Sequence, residues 1–485
     1  MRSAAKLLGL LAPLLLVWGC QEGENGPVQV SAIGGPPRLV DPSREALDAP
    51  SAFLLEATAQ GLVRFDAAGE IEPALAQRWI VSDDGLRYTF RLARLQWANG
   101  SRVTAGQVAA RLRAAAAPSS RNALKPLLGA IDEIVGMTDE VLEISLKSPR
   151  PNFLQLLAQP EMAVLRNGEG LGPYRAVPAA AGAVSLTLPP LDEDAVGRDE
   201  VQAPPLLLRG EGAGLAVARF AEGETDLVLG GALGDLPLAR AARTPAATLV
   251  FDPAPGLLGL AFTGADGRFA APEARRALAM AIDRAALVQA LGVGVLQPRE
   301  ALLPAGVAES PQPALPAWAT APLPERRSAA AALLAALPEG APESVRVAIP
   351  EGRGYDLLFA HLRRDWATIR IRAERAPPNA PADLRLIDQV APAGLATWYL
   401  RHFTCEASRI CDPAADEMLA AARIAPAPAA RRALIATADR ILTDLTPFIA
   451  LTNPVRWSLV SPRLTGFRPN AFGRHPAGEL IRPTP

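Results

Sequence analysis

Only three histidines and three cysteines stand in this 485-residue chain, so a metal centre or a nucleophile–base pair would have to be built from very few residues. His361 falls among charged neighbours in a helical pattern and reads as lying on a solvated face, and His475 follows Gly473-Arg474 in an expected C-terminal loop. Cys405 and Cys411 bracket "CEASRIC". In an oxidising compartment, thiols this close are expected to close a local disulfide loop. A metal pair is the rival reading, with His402 as the one further ligand type nearby, whereas structural ions usually take four donors. Asp83-Asp84-Gly85 offers two carboxylates, yet Asp-Gly beside a strand is ordinary turn chemistry. The chain lacks GxxxxGK[ST], HExxH, GxSxG and CxxC. With no catalytic set and no cofactor motif, the expectation is a protein that is not an enzyme and holds no metal or cofactor.

The third cysteine has a different setting. Arg2 and Lys6 precede an apolar run from Leu8 to Val17, interrupted by Pro13 and too short to span a bilayer. That is the pattern of a secretory signal. The run stops at "VWGC", which resembles a bacterial lipobox, with Gly19 preceding Cys20. Trp18 departs from the small residue usual there. The resemblance implies a signal peptide over residues 1–20, lipidation of Cys20 and a polar tether, Gln21 to Pro27. The mature chain would then be anchored on the periplasmic or extracellular face of a membrane.

Formal net charge is −1, which leaves no basic stripe for nucleic acid. The length supports more than one lobe. "LRYTFRL" (Leu86 to Leu92) and "VLEISLK" (Val141 to Lys147) alternate as half-buried strands. Asn99-Gly100 predicts a hairpin turn with positive φ at both residues, and Thr104 with Gln107 predicts a capping box opening a helix through Arg113. "VQVSAIGG" (Val28 to Gly35) and "TDLVLGG" (Thr225 to Gly231) read as strands ending in glycines. Ala271 to Leu291 reads as one long helix, and the proline-rich residues 302–327 as a surface loop. "SVRVAIP", "GYDLLFAHLRRDWA", "TIRIRAE" and "DLRLID" then alternate as strand, helix, strand, strand, so parallel pairing is expected there. Residues 413–424 and 428–445 read as helices, the second burying Leu434, Ala438, Ile441, Leu442 and Leu445.

"GLVRFDAAGEIEPALAQRWIVSDDGLRYTFRLARLQWANGSRVTA" resembles the family 5 extracellular solute-binding proteins of ABC transporters, the peptide- and nickel-binding type. Asp66, Gly69, Pro73, Trp79, Ser82, Tyr88, Phe90, Trp97, Gly100 and Thr104 match the family's run. "GPYRAV", "FAEGETDLVLG", the helix at Ala271 and "LTPFIALTNPVRWSLVSPRLTGFRPN" follow in the family's order. The resemblance implies an α/β fold with two lobes, periplasmic-binding-protein-like, and an extra subdomain on the first lobe. Lobe one would take residues 21–250, with the subdomain at about 45–165. Lobe two would take 251–454, and residues 455–485 would return to lobe one.

It also implies that a small peptide-like solute is trapped between the lobes and delivered to an ABC permease and ATPase complex. The alternative is a sensory or assembly lipoprotein that keeps the fold without transport. In open α/β sheets ligands sit beyond the carboxyl ends of strands. The candidates are therefore Gly34, Gly35, Gly230 and Gly231, where ordinary turn chemistry is the competing reading, and Asp388, which could tether a cation. Trp398 and Tyr399 offer rigid aromatic surface to a ligand or to the core. Thr263 occupies the place of the family's asparagine in "F-N-T". The family's "W-x-x-D-Y-x-x-P" is absent after Asp388, where the chain runs "DQVAPAGLATWYLRHFTC".

Overall fold

The computed structural model describes residues 26–150, 152–189, 205–264, 267–310, 312–338 and 340–481; Cys20 and the signal segment lie outside the described residues. Three sheets organise the chain. In the first, the strands Leu206–Glu211, Val28–Ile33 and Leu227–Ala232 run parallel at the centre. Arg175–Pro178 and Val184–Thr187 extend one side, while Arg456–Val460 and Leu249–Phe251 extend the other, all antiparallel. The helix Ala49–Thr58 packs on this sheet, its Asp48 N-cap accepting a hydrogen bond from the Ser51 amide.

The second sheet has the order Arg372–Ala376, Ser344–Ala348, Leu384–Val390, Gly256–Phe262, Phe448–Thr452. Ser344–Ala348 pairs in parallel with both of its neighbours, joined to Arg372–Ala376 across the helix Arg353–Ala367. That is the crossover which the alternation of strand and helix patterns demands. The third is an antiparallel sheet of Ala76–Val81, Arg87–Leu92, Val141–Leu146 and Ile131–Gly136, with the helix Ala105–Ala116 against it. The Thr104 capping box is formed.

One apolar cluster runs without a break from this third sheet (Phe90, Leu142) through the short helix Phe153–Leu157 (Phe153, Leu156) into the second half of the chain (Ala393, Leu395, Tyr399, Phe403). The two halves therefore share buried surface instead of merely facing each other.

Several local expectations are corrected. The Ala271 to Leu291 pattern is two helices, Pro272–Ala281 and Arg284–Leu291, because Asp283 turns its carboxylate onto the Ala286 amide and caps the second. The 302–327 loop gives way to a helix, Leu323–Ala335, with Pro324 in its first turn, a position where proline's missing N–H costs nothing. At the hairpin only Gly100 has positive φ (77°), and the Asn99 side chain accepts from Ser101 instead. His475 does lie in a C-terminal loop as expected, and is buried there against Asp252, 3.2 Å away. The helix Pro428–Leu445 is rotated from the expected face: Arg431, Ile435, Ala438, Asp439 and Leu442 are buried, while Leu434, Ile441 and Leu445 are only partly covered. Both polar residues on that face have partners, which is how a charge is tolerated inside.

Candidate functional site

Where the two halves meet, side chains from one donate to the backbone of the other. Asn152 Nδ2 donates to the Gly394 carbonyl oxygen and Gln159 Nε2 to that of Pro392, both at 2.7 Å. The Gly394 amide donates to Gln155 Oε1, and Ser148 Oγ to the Arg423 carbonyl oxygen. Beside this seam lie two cavities. One, of about 510 Å³, is lined by Gln159 and Glu161 from the first half, Asp388, Trp398 and His402 from the second, and Arg456, Phe472 and Arg474 from the C-terminal segment. The other, of about 640 Å³, lies between residues 125–156 and 395–431. Arg401 and Ala407 line both. Volumes of this size suit small organic ligands.

Of the residues singled out from sequence, Asp388 and Trp398 line the first cavity. Asp388 is inside its strand, opposite Leu258, and not beyond its end. Its carboxylate is matched from within: Arg456 Nη1 donates to Oδ1 at 2.7 Å and Tyr355 Oη to Oδ2 at 2.8 Å. Burial, then the Asp388 charge, pushes the Tyr355 phenol far above its ordinary pKa, so it stays a donor. An acid already holding a guanidinium has no charge left over for a ligand's cation in this arrangement. Trp398 meets Tyr399 and His402 edge-on. His402 donates from Nδ1 to the Trp398 carbonyl oxygen at 2.8 Å, and burial lowers its pKa.

The other candidates do not reach the cavities. Tyr399 is 1% exposed and belongs to the apolar core. Gly231 lies under the Trp457 ring, where an added Cβ would come within 2.2 Å, and Gly230 (φ 82°) faces Ala49 and the Ile33 backbone. Gly34 abuts Pro50, and the Gly35 amide donates to Asp48. The chain's own packing or backbone geometry requires small residues at Gly34, Gly230 and Gly231. Thr263 donates to the Asp383 and Ala382 carbonyl oxygens. It lies five residues beyond Leu258, the partner of Asp388, hence roughly 17 Å along the sheet from it. Cys405 and Cys411 are joined, with sulfurs 2.11 Å apart. Among the described residues no group of His, Cys, Asp or Glu could hold a metal ion.

Sequence reasoning missed the arginines. Arg456 stands in "NPVRWSL", within the segment that follows the family's order, and Arg150 in "SPRPNF", just past the strand expected to end at Lys147. The available signal was charge beside an apolar run, which does not say what the charge meets.

Residues 70–185 match the family described as "Bacterial extracellular solute-binding proteins, family 5 Middle". The chain is 29% identical over 144 residues to the "Probable deoxycholate-binding periplasmic protein YgiS" of Escherichia coli (strain K12), covering 26% of this chain and 27% of that protein. It is 30% identical over 175 residues to the "Glutathione-binding protein GsiB" of Pectobacterium atrosepticum, covering 33% of each. The matches thus span a third or less of these relatives' lengths. Nearly the whole fold superposes on Haemophilus influenzae OppA complexed with RPPGFSPFR, with TM-score 0.79, 18% identity, 94% of this chain and 99% of the other. The architecture is the mixed α/β, two-lobed fold of periplasmic binding proteins.

Proposed function

We propose that the chain is a family 5 extracellular solute-binding protein of an ABC transporter, which captures a peptide-like solute between its lobes and delivers it to an ABC permease and ATPase complex. The observation that carries this reading is the pair of cavities at the seam, lined from both halves and closed by side chain-to-backbone hydrogen bonds. Enclosure between two bodies that can part gives capture and release without covalent chemistry. Peptides and glutathione appear in the names of similar proteins, which makes a peptide-like solute the favoured class.

Lobe one is proposed to comprise residues 21–250 with 455–485, and lobe two residues 251–454. Strand Arg456–Val460 pairing into the first sheet supports the return crossing. The anchor is proposed at Cys20, on an extracytoplasmic membrane face; no helix among the described residues is long and apolar enough to cross a membrane. Cys20→Ala should abolish acyl-lipid labelling and release the chain from membranes; a variant that stays bound overturns the anchor. The capture reading is tested by thermal-shift screening with short peptides, since a ligand that binds only the folded state raises the melting temperature. A peptide panel that leaves the melting temperature unmoved at millimolar concentration overturns it.

A further inference from the structure

The larger cavity carries a charge surplus that the fold does not neutralise. It is lined by five cationic side chains, Lys125, Arg150, Arg401, Arg423 and Arg431, against two carboxylates, Glu406 and Asp416. Of the five, Arg431 has an internal counter-ion: Glu309 accepts from its Nε at 2.8 Å, and both side chains are nearly fully buried. Asp416 is occupied by the Cys405 amide. Arg150 is different. It is 7% exposed, no carboxylate lies within ion-pair distance of it among the described residues, and its Nη1 has no hydrogen-bond partner. Its one contact, from Nη2 to the Arg423 carbonyl oxygen at 3.5 Å, is long. Helix capping does not account for it either, because Ser148 and Arg431 already serve the Arg423 and Ala422 carbonyls at 2.7 and 2.6 Å. Burial, with the Arg431 and Arg423 charges added, lowers the Arg150 pKa to about 10, Glu309 offsetting only part. Burial and Arg423 likewise lower Arg401, against the pull of Glu406.

A buried guanidinium left without a counter-ion is costly unless something supplies one. Resting on the solute-binding reading, we propose that this compartment receives a carboxylate of the captured solute, with Arg150 and Arg401 as its partners, so that the protein selects acidic peptide-like solutes. The fork of a guanidinium matches a carboxylate in two parallel hydrogen bonds, which makes arginine suited to the task. The other cavity, where Asp388 and Arg456 pair, contributes shape and aromatic surface, and this reverses the polarity expected from Asp388 alone.

The test is calorimetric titration of the full chain with Ala-Glu-Ala, Ala-Gln-Ala and Ala-Lys-Ala, each amidated at its C-terminus so that the Glu side chain is the one carboxylate, beside thermal shifts with inorganic phosphate. Wild type should bind Ala-Glu-Ala about tenfold or more tighter than Ala-Gln-Ala, with Ala-Lys-Ala weakest, as a charge-assisted hydrogen bond implies. Arg401→Gln and Arg150→Gln should each reduce that preference to below about threefold, the loss falling chiefly on Ala-Glu-Ala. Arg150 is buried, so if its variant does not fold, the half-buried Arg401 carries the test. Equal affinities for the three peptides overturn the acidic preference and leave solute capture standing. A preference that survives Arg401→Gln overturns the location. Phosphate that stabilises as strongly as Ala-Glu-Ala assigns the compartment to a free anion and overturns the solute's carboxylate. If no tripeptide binds, this inference and the capture reading fail together.

Discussion

The two cavities at the seam treat charge in opposite ways. Around Asp388 the charges that belong to this cavity alone have an answer from the same chain: Arg456 and Tyr355 hold Asp388, and Arg474 stands 3.7 Å from Glu161. Around Arg150 the guanidiniums outnumber the carboxylates, and the one closed pair, Arg431 with Glu309, leaves Arg150, Arg401 and Arg423 over. The first arrangement spends its electrostatics on holding distant segments together. The second keeps it in reserve for something that comes from outside. Internal pairing therefore marks where a substitution should cost stability, and its lack marks where a substitution should cost binding.

The strongest way to break this comparison is to open the closed pair. Arg431→Gln leaves Glu309 buried without its cation and should cost about 3–5 kcal/mol in urea unfolding. A loss under about 1 kcal/mol would mean the pair is no more anchored than the unpaired arginines.

Next is Asp439, buried on the same helix face with no arginine holding it. Burial raises its pKa from 3.8 to about 6, against the Ala314 amide and the Arg440 charge. With the folded-state value above the unfolded one, stability is highest below the unfolded pKa and falls as pH rises through about 6. Asp439→Asn keeps an acceptor for Ala314 and should stabilise by up to about 3 kcal/mol at neutral pH, with the gain vanishing near pH 4. A gain unchanged between these two pH values would show that ionisation is not its source.

Asp388→Asn should cost about 1.5–3 kcal/mol, the worth of charge-assisted hydrogen bonds, and should shift tripeptide affinities by less than about threefold. A large loss of Ala-Lys-Ala binding without loss of stability would restore Asp388 as the ligand's cation tether. The smallest effect is expected at the seam itself. Gln159→Ala removes one bond to the Pro392 carbonyl and should cost about 1 kcal/mol, read as a small fall in urea midpoint.

Sequence by itself determined the elements and their class. Alternation wrote the strands at Arg87–Leu92 and Val141–Leu146, Thr104 and Gln107 wrote the helix start, and the strand–helix–strand spacing wrote the parallel pair of the second sheet. These signals are local: each depends on residues within a few positions of one another, with periods fixed by backbone geometry. The break at Asp283 was visible in principle, because Asp followed by a helical run is a cap, yet the apolar stripe continued across it and concealed the stop. Only the tertiary structure decided the site. Arg456 finds Asp388 across 68 residues, and Arg431 finds Glu309 across 122. The glycines at 230 and 231 look like an opening for a ligand until Ala49 and Trp457 are seen against them. Whether a charge is matched, or a glycine filled, depends on which distant segment packs there. That is set by how two sheets and the surfaces between them close, which no local periodicity encodes.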